Sequence, residues 1–286
     1  MEEERPSWTA EGAATMRALH QTPDHEPRIL DDRIAPQLVD PQSDSYKSVI
    51  ESLERLPKPT RLRFEATSVM RSRYAEDCLA EAFDNGVRQY IVLGAGLDTF
   101  AYRQPPWGSS LRIFEVDHPA TQRWKRRLLN EARITIPDNI SFVPLDFEKV
   151  SLATALSQAR VDFDAPIFFS MLGVSQYLSE AALDQTLRLV LSAPAQSEIV
   201  FSFVATDEVL PPDEVALIKA FEARFAAIGE PWLSRFLPER LAAKLRDNGF
   251  SRVFHLSPEE ANHRYFQNRR DGLNAFPSEQ MIRATV

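Results

Sequence analysis

The sequence predicts an α/β protein of the Rossmann-like kind, a mostly parallel sheet with helices on both faces. Three observations carry this. Between Thr60 and Val204, short apolar runs alternate with helical patterns five times. The run Tyr90-Ile91-Val92-Leu93 ends abruptly in Gly94-Ala95-Gly96, as a buried parallel strand does when it turns tightly beneath a ligand. Asp117 then closes the next apolar run, roughly 20 residues after the glycines, the separation at which an acid reaches a nucleotide ribose. Together these make a nucleoside-binding half-site.

Residues 1–60 pattern as a helical cover ahead of that core. Thr9 is placed to cap a helix running to His20, with Ala13, Met16 and Leu19 near helical spacing. Pro23, Pro27, Pro36 and Pro41 break the next stretch into short pieces. Here Asp31-Asp32 reads as a capping turn. A second helical piece, Tyr46–Leu56, ends at Pro57-Lys58-Pro59.

The core, residues 61–286, opens on a helical pattern from Leu62 to Phe83 that stops at Asn85-Gly86. Strands are predicted at Arg88–Leu93, Arg112–Val116, Ile140–Pro144, Pro166–Met171 and Glu198–Val204. Between them fall helices from about Pro119 to Arg133, at Ser151–Arg160, and at Leu178–Ser192 with Ser179 suited to capping. The stretch 209–237 departs from the alternation as an insertion holding one helix. Its Phe221, Phe225, Trp232 and Phe236 read first as core. A helix at Pro238–Asn248, a strand at Phe250–Leu256 and a last edge strand at Gln280–Val286 complete the chain.

Composition narrows the function classes. With 286 residues, 44% hydrophobic and 26% charged, the chain can bury one sizeable core plus an appendage. A net charge of −8 disfavours a broad phosphate-binding surface, so nucleic acid is not an expected partner. The basic run Arg123-Trp124-Lys125-Arg126-Arg127 reads as a solvated helix face. One cysteine, Cys78, rules out an internal disulfide and reads as a buried, inert thiol in a reducing, cytoplasmic setting. No stretch has the roughly 18 apolar residues of a membrane span, and no Cys/His cluster has metal-ligand spacing. No pattern fixes the oligomeric state.

Motif chemistry leaves the nucleoside ligand open. A dinucleotide turn needs G-x-G-x-x-G, and its third position here is Thr99. A nicotinamide enzyme, a merely structural tight turn and other nucleoside ligands all fit the G-x-G. Asp117 can alternatively cap the helix after Pro119, Asp146 can be a turn acid, and Arg71 a surface arginine. Asp98 is suited to bracing the glycine loop through backbone amides, and His118 reads as a neighbouring side chain.

The segment GAGLDTFAYR at Gly94–Arg103 resembles the GAGLDSRAYR-type signature of the leucine carboxyl methyltransferase family, which contains S-adenosylmethionine-dependent O-methyltransferases. The resemblance extends over nearly the whole chain. TAEGAATMRALH at Thr9–His20, ILDDRIA at Ile29–Ala35, MRSRYAEDCL at Met70–Leu79, FEVDHP at Phe114–Pro119, VPLDFE at Val143–Glu148 and YFQNRRDGL at Tyr265–Leu273 are similar to segments of its bacterial branch, in the same order. It implies a class I methyltransferase-like fold, S-adenosyl-L-methionine as cofactor and S-adenosyl-L-homocysteine as product. It would lay Gly94, Ala95 and Gly96 under the methionine part, where a Cβ would intrude. It gives Asp117 the ribose hydroxyls, Asp146 and Phe147 the adenine, and Arg71 the cofactor carboxylate. Arg73 and Tyr177 become candidate substrate contacts.

One departure stands out. Where the family commonly carries a cofactor-contacting glutamate after the fourth strand, MLGVSQYL at Met171–Leu178 has Leu172. Transfer from a sulfonium is an in-line displacement that needs positioning above all. A carboxylate acceptor needs no base, whereas a phenol with a pKa near 10 benefits from one. No motif names a histidine as that base; with the family resemblance and the available Arg73, this makes the carboxylate of a small secondary metabolite the expected acceptor. Phenol methylation in natural-product assembly is the alternative, and Leu172 motivates a non-catalytic cofactor binder.

Overall fold

Alternation along the five apolar runs decides what each sheet face buries. A computed structural model describes residues 8–23, 26–146 and 150–286. In it β1 (Gln89–Leu93), β2 (Arg112–Asp117), β3 (Ile140–Pro144), β4 (Ile167–Met171) and β5 (Glu198–Val204) pair in parallel. Ile91, Leu93, Phe114, Phe169 and Phe201 point to one core, and Tyr90, Val92, Ile113, Phe168 and Val200 to the other. Both faces are therefore dry. The helices α5 (Leu152–Gln158), α6 (Glu180–Leu191) and α8 (Pro238–Asp247) cover the first face, and α3 (Lys58–Asp84) covers the second.

Two further strands, β6 (Arg252–Leu256) and β7 (Glu279–Thr285), complete a seven-stranded sheet in the order β3-β2-β1-β4-β5-β7-β6. This is the class I methyltransferase-like sheet. The last strand is not an edge, as its sequence suggested. It runs antiparallel between β5 and β6. Ile282 and Ala284 pack into one core and Met281 into the other, so it needs cover on both faces and both sides. The outer position falls to β6, whose Phe254 is half exposed.

Local signals set most element ends. Ser43, Ser151 and Ser179 cap α2 (Asp44–Glu54), α5 and α6 by accepting the N–H three residues on. The 27-residue α3 begins a turn earlier than its apolar pattern, because Pro59 lies in the first turn, where its missing N–H costs nothing. It ends at Gly86, whose φ of +96° lets the chain turn back. Thr9 does not cap α1 (Trp8–Leu19) but lies within it, and its N–H donates to Glu230 Oε2 at 3.3 Å. In α4 (Pro119–Glu131), Arg123, Arg126 and Arg127 are solvated as expected. Lys125 is not: it is buried against Glu115 at 2.8 Å. Cys78 is buried, and desolvation pushes its thiol up to about 12. Among the described residues no helix is long and apolar enough to cross a membrane.

A buried ionic cluster docks the N-terminal segment onto the sheet. Asp32, fully buried, accepts from Arg17 Nε at 3.1 Å, Thr99 Oγ1 at 2.6 Å and the Ala35 amide at 3.0 Å. Arg103 stands 3.4 Å from Asp32 and also pairs with Glu76, while Arg17 Nη2 donates to the Leu97 carbonyl at 2.6 Å. The expected capping turn is thus also an ion-pair centre. Burial alone would raise the Asp32 carboxyl, but Arg17, Arg103 and Thr99 outweigh it and hold the group below its ordinary value. Its stabilisation is therefore present above the unfolded value near 3.9 and lost as pH falls below it. Asp32→Asn is expected to cost about 3 kcal/mol, with a shallower loss of stability below pH ~4 than wild type. Denaturant unfolding across pH measures both.

Candidate active site

The site lies where the sheet order reverses. β1 pairs with β2 on one side and β4 on the other, so the loops leaving β1 and β4 part there and open a crevice at their carboxyl ends. It holds a cavity of about 940 Å³, near the upper end of single-ligand pockets, walled by these loops, α1, α2, α3 and α7 (Pro212–Ala227).

The glycine turn forms one wall. Gly94 and Gly96 have φ of +69° and +46°, a region that penalises any side chain. The expected Cβ clash is real, but it falls on protein. A Cβ on Gly94 would approach Val174 Cγ2 to 2.4 Å, and one on Gly96 would lie 3.2 Å from Ala10 Cβ. Both glycines thus serve packing of the β4 loop and α1 against the turn. Asp98 braces the chain one step later than expected, accepting from the Phe100 amide at 2.9 Å. Thr99 explains the missing third glycine. A short 3₁₀ turn, Phe100–Tyr102, follows instead of a long helix, and Thr99 turns its hydroxyl to Asp32.

Asp117, at the end of β2, lines the cavity and accepts from the Gly96 and His118 amides. A carboxylate has about four acceptor sites, so two remain for a diol. Desolvation raises its carboxyl, opposed by the two amide bonds. Capping of α4 belongs to His118, whose Nδ1 accepts from Ala120 N at 3.3 Å. Asp146 lines the same cavity. Phe147 lies outside the described residues.

Arg71 and Arg73 part company. Arg71 lines the cavity, pairs with Glu279 at 2.8 Å and lies over Gly173, where a Cβ would meet its Nη1 at 2.7 Å. Arg73, two residues on, is turned about 200° round α3. It is half exposed, bonded to Asp77 at 2.8 Å and to the Ile29 carbonyl at 3.2 Å, and it is absent from the cavity wall. Its expected role as a substrate contact is corrected on that ground. Tyr177 and Leu172 do line the cavity. Burial raises the Tyr177 phenol, which stays protonated at neutral pH.

The remaining wall is aromatic. Phe221, Phe225 and Trp232 line the cavity, Trp232 packing also against the small cluster of Ala205, Leu210, Ile218 and Phe276, with Phe225 stacked on both neighbours at 6.0 and 5.6 Å. Phe64 of α3 meets Phe221 edge-on at 4.7 Å. Only Phe236 of the four is core. Arg224, also in the wall, donates from Nη2 to Ser52 Oγ of α2 at 2.5 Å. Glu279, Gly173 and Arg224 were missed from sequence. Helical spacing from Phe221 could have found Arg224, but no local signal marks Glu279. Among the described residues no group of three or more metal-ligating side chains assembles.

The leucine carboxyl methyltransferase family model matches residues 10–191, more than half of the chain. The chain belongs to the leucine carboxyl methyltransferase family. It is 33% identical to the Bacillus subtilis (strain 168) protein YktD, named for S-adenosyl-L-methionine-dependent methyl transfer, over 99% of both chains. A Mycolicibacterium smegmatis relative with the same functional name is 30% identical over 77% of this chain and 74% of its own. Among solved structures, a DUF574 family protein from Streptomyces avermitilis shares the fold with a TM-score of 0.64 at 15% identity, covering 99% of this chain and 98% of its own.

As a family member the chain uses S-adenosyl-L-methionine as methyl donor, and its residues fit that group. The glycine turn and Asp117 face one cavity, Arg71 supplies a cation for a carboxylate, and the buried Thr67 hydroxyl in the wall has no partner among the described residues. Asp117→Asn is expected to weaken S-adenosyl-L-homocysteine binding roughly tenfold to a hundredfold, the range for hydrogen bonds to a charged group. Because burial raises Asp117, wild-type affinity should fall on acidification from above pH ~4, and the variant should lose that dependence. Calorimetric titration across pH checks both.

Proposed function

We propose that the chain is an O-methyltransferase acting on the carboxylate of a small metabolite with an apolar or aromatic body, in secondary metabolism. The observation that carries this reading is the make-up of the wall beyond the glycine turn. Rings from α3, α7 and Trp232 line the same cavity as Arg224, while the imidazole among the described lining residues, His118, has its Nδ1 committed to capping α4. An acceptor already ionised at neutral pH suits such a wall. Arg224 would hold it by a charge-assisted bond, and the rings would bury its body.

Bound S-adenosyl-L-methionine supplies an electrophilic methyl on a sulfonium. The chain binds, aligns and keeps water out. Arg71, Asp117 and Asp146 fix the donor end, while Tyr177, a neutral donor, helps orient the acceptor. In this reading residues 1–60 are a cover and 209–237 the substrate-side insertion. Two polar contacts support it: the Thr9 N–H donates to Glu230, and Arg224 donates to Ser52. Such a roof excludes water from the displacement.

The test is a panel of aryl and alkyl carboxylic acids with matched phenols, read by mass spectrometry for methyl esters and ethers. Esters are expected. Arg224→Gln should raise the KM for the acid about tenfold with kcat little changed, as loss of uniform binding does. Methylation of phenols alone would sink the carboxylate reading.

A further inference from the structure

The Arg71–Glu279 pair is the feature of the cavity that sequence reasoning did not anticipate. Glu279 opens β7, opposite Val204 of β5. Its carboxylate meets Arg71 through one contact, Nη1 to Oε1 at 2.8 Å, with both side chains less than a fifth exposed. Neither group is spent. Glu279 Oε2 and Arg71 Nη2 and Nε bond to no described residue. Both residues line the cavity.

Packing places the pair beside the glycine turn. Gly94 abuts Val174, Val174 follows Gly173, and the Arg71 guanidinium lies over Gly173. Gly173 is fixed in turn by its N–H, which donates to Ser202 Oγ at 2.7 Å, and its φ of +70° lies in the left-handed region that favours glycine. The loop after β4 thus gives up its side chain to seat the guanidinium. It also lacks a carboxylate, because Leu172 stands there. The nearest carboxylate bonded to Arg71 comes from β7.

A partly exposed ion pair of this kind contributes little to stability. A ligand carrying a carboxylate and an ammonium on one carbon would complete both partners at once. The methyl donor has such an end, and its α-ammonium is mostly protonated at neutral pH. We propose that Glu279 and Arg71 form a clamp for the zwitterionic amino-acid end of the donor, Arg71 taking the carboxylate and Glu279 the ammonium. Glu279 is then a cofactor-binding residue on the last strand, doing from β7 what a carboxylate after β4 would do.

Three ligands separate this from a structural role: S-adenosyl-L-homocysteine, its deaminated analogue that keeps the carboxylate, and 5′-methylthioadenosine, which has neither group. Calorimetry on the full chain is expected to show wild type binding S-adenosyl-L-homocysteine about tenfold tighter than the deaminated analogue. Glu279→Gln should lose that tenfold and bind the other two as wild type does, while Glu279→Asp should recover part of it. Retained 5′-methylthioadenosine binding reports an intact fold. An equal loss for all three ligands, or no loss for S-adenosyl-L-homocysteine, overturns the proposal.

Discussion

One buried carboxylate holds the parts of this molecule in register. Asp32 is stripped of water, a penalty of several kcal/mol that only close partners offset. Its partners come from everywhere that matters to the site: Arg17 from α1, Thr99 and Arg103 from the chain after the glycine turn, and through Arg103, Glu76 of α3. Arg17 also closes on the Leu97 carbonyl, one residue past Gly96. The glycine turn is therefore shaped from outside as much as from within. Together with the His20–Glu65 contact of 2.9 Å, this cluster sets where α1 places Ala10 and Met16 in the cavity wall.

Two cations of the cavity wall each come with an anion from another element. Arg17 answers to Asp32, and Arg71 to Glu279. The two pairs differ in how much solvent they see, and this decides their work. The first is almost fully buried and saturated with hydrogen bonds, so it behaves as structure. The second is partly open and unsaturated, so a ligand can share it. Lys125 and Glu115 of β2 form another fully buried pair, outside the cavity.

The sheet was legible because its signals are local and redundant. Five apolar runs, serine caps and the Asn85-Gly86 stop each fix a boundary without knowledge of the rest. The glycine turn and Asp117 were legible as candidates because strand ends in such sheets converge, and Arg71 because its helical segment resembles one of the family. Arg73 failed by simple geometry, since two residues along a helix is the far side. The rings of α7 failed because an aromatic at helical spacing looks the same facing a core or a cavity. Glu279 was invisible for a different reason. Its significance depends on β7 being inserted between β5 and β6, which brings Glu279 to Arg71, 208 residues away in the chain.

The division of the cavity follows from how its walls are built. The donor side is made of strand ends and the turns that leave them, locked by the sheet and by the glycines that let neighbouring backbones touch. The opposite side is made of α2, α7 and the start of α3, segments drawn from both ends of the sequence and joined by a few polar contacts such as Arg224 to Ser52. A rigid floor can impose one geometry on the donor, while a wall assembled from helices can change its rings without disturbing the sheet. Family likeness therefore speaks to the donor with more authority than to the acceptor. In the function proposed above, the acceptor is read from Arg224 and the rings that line the same cavity.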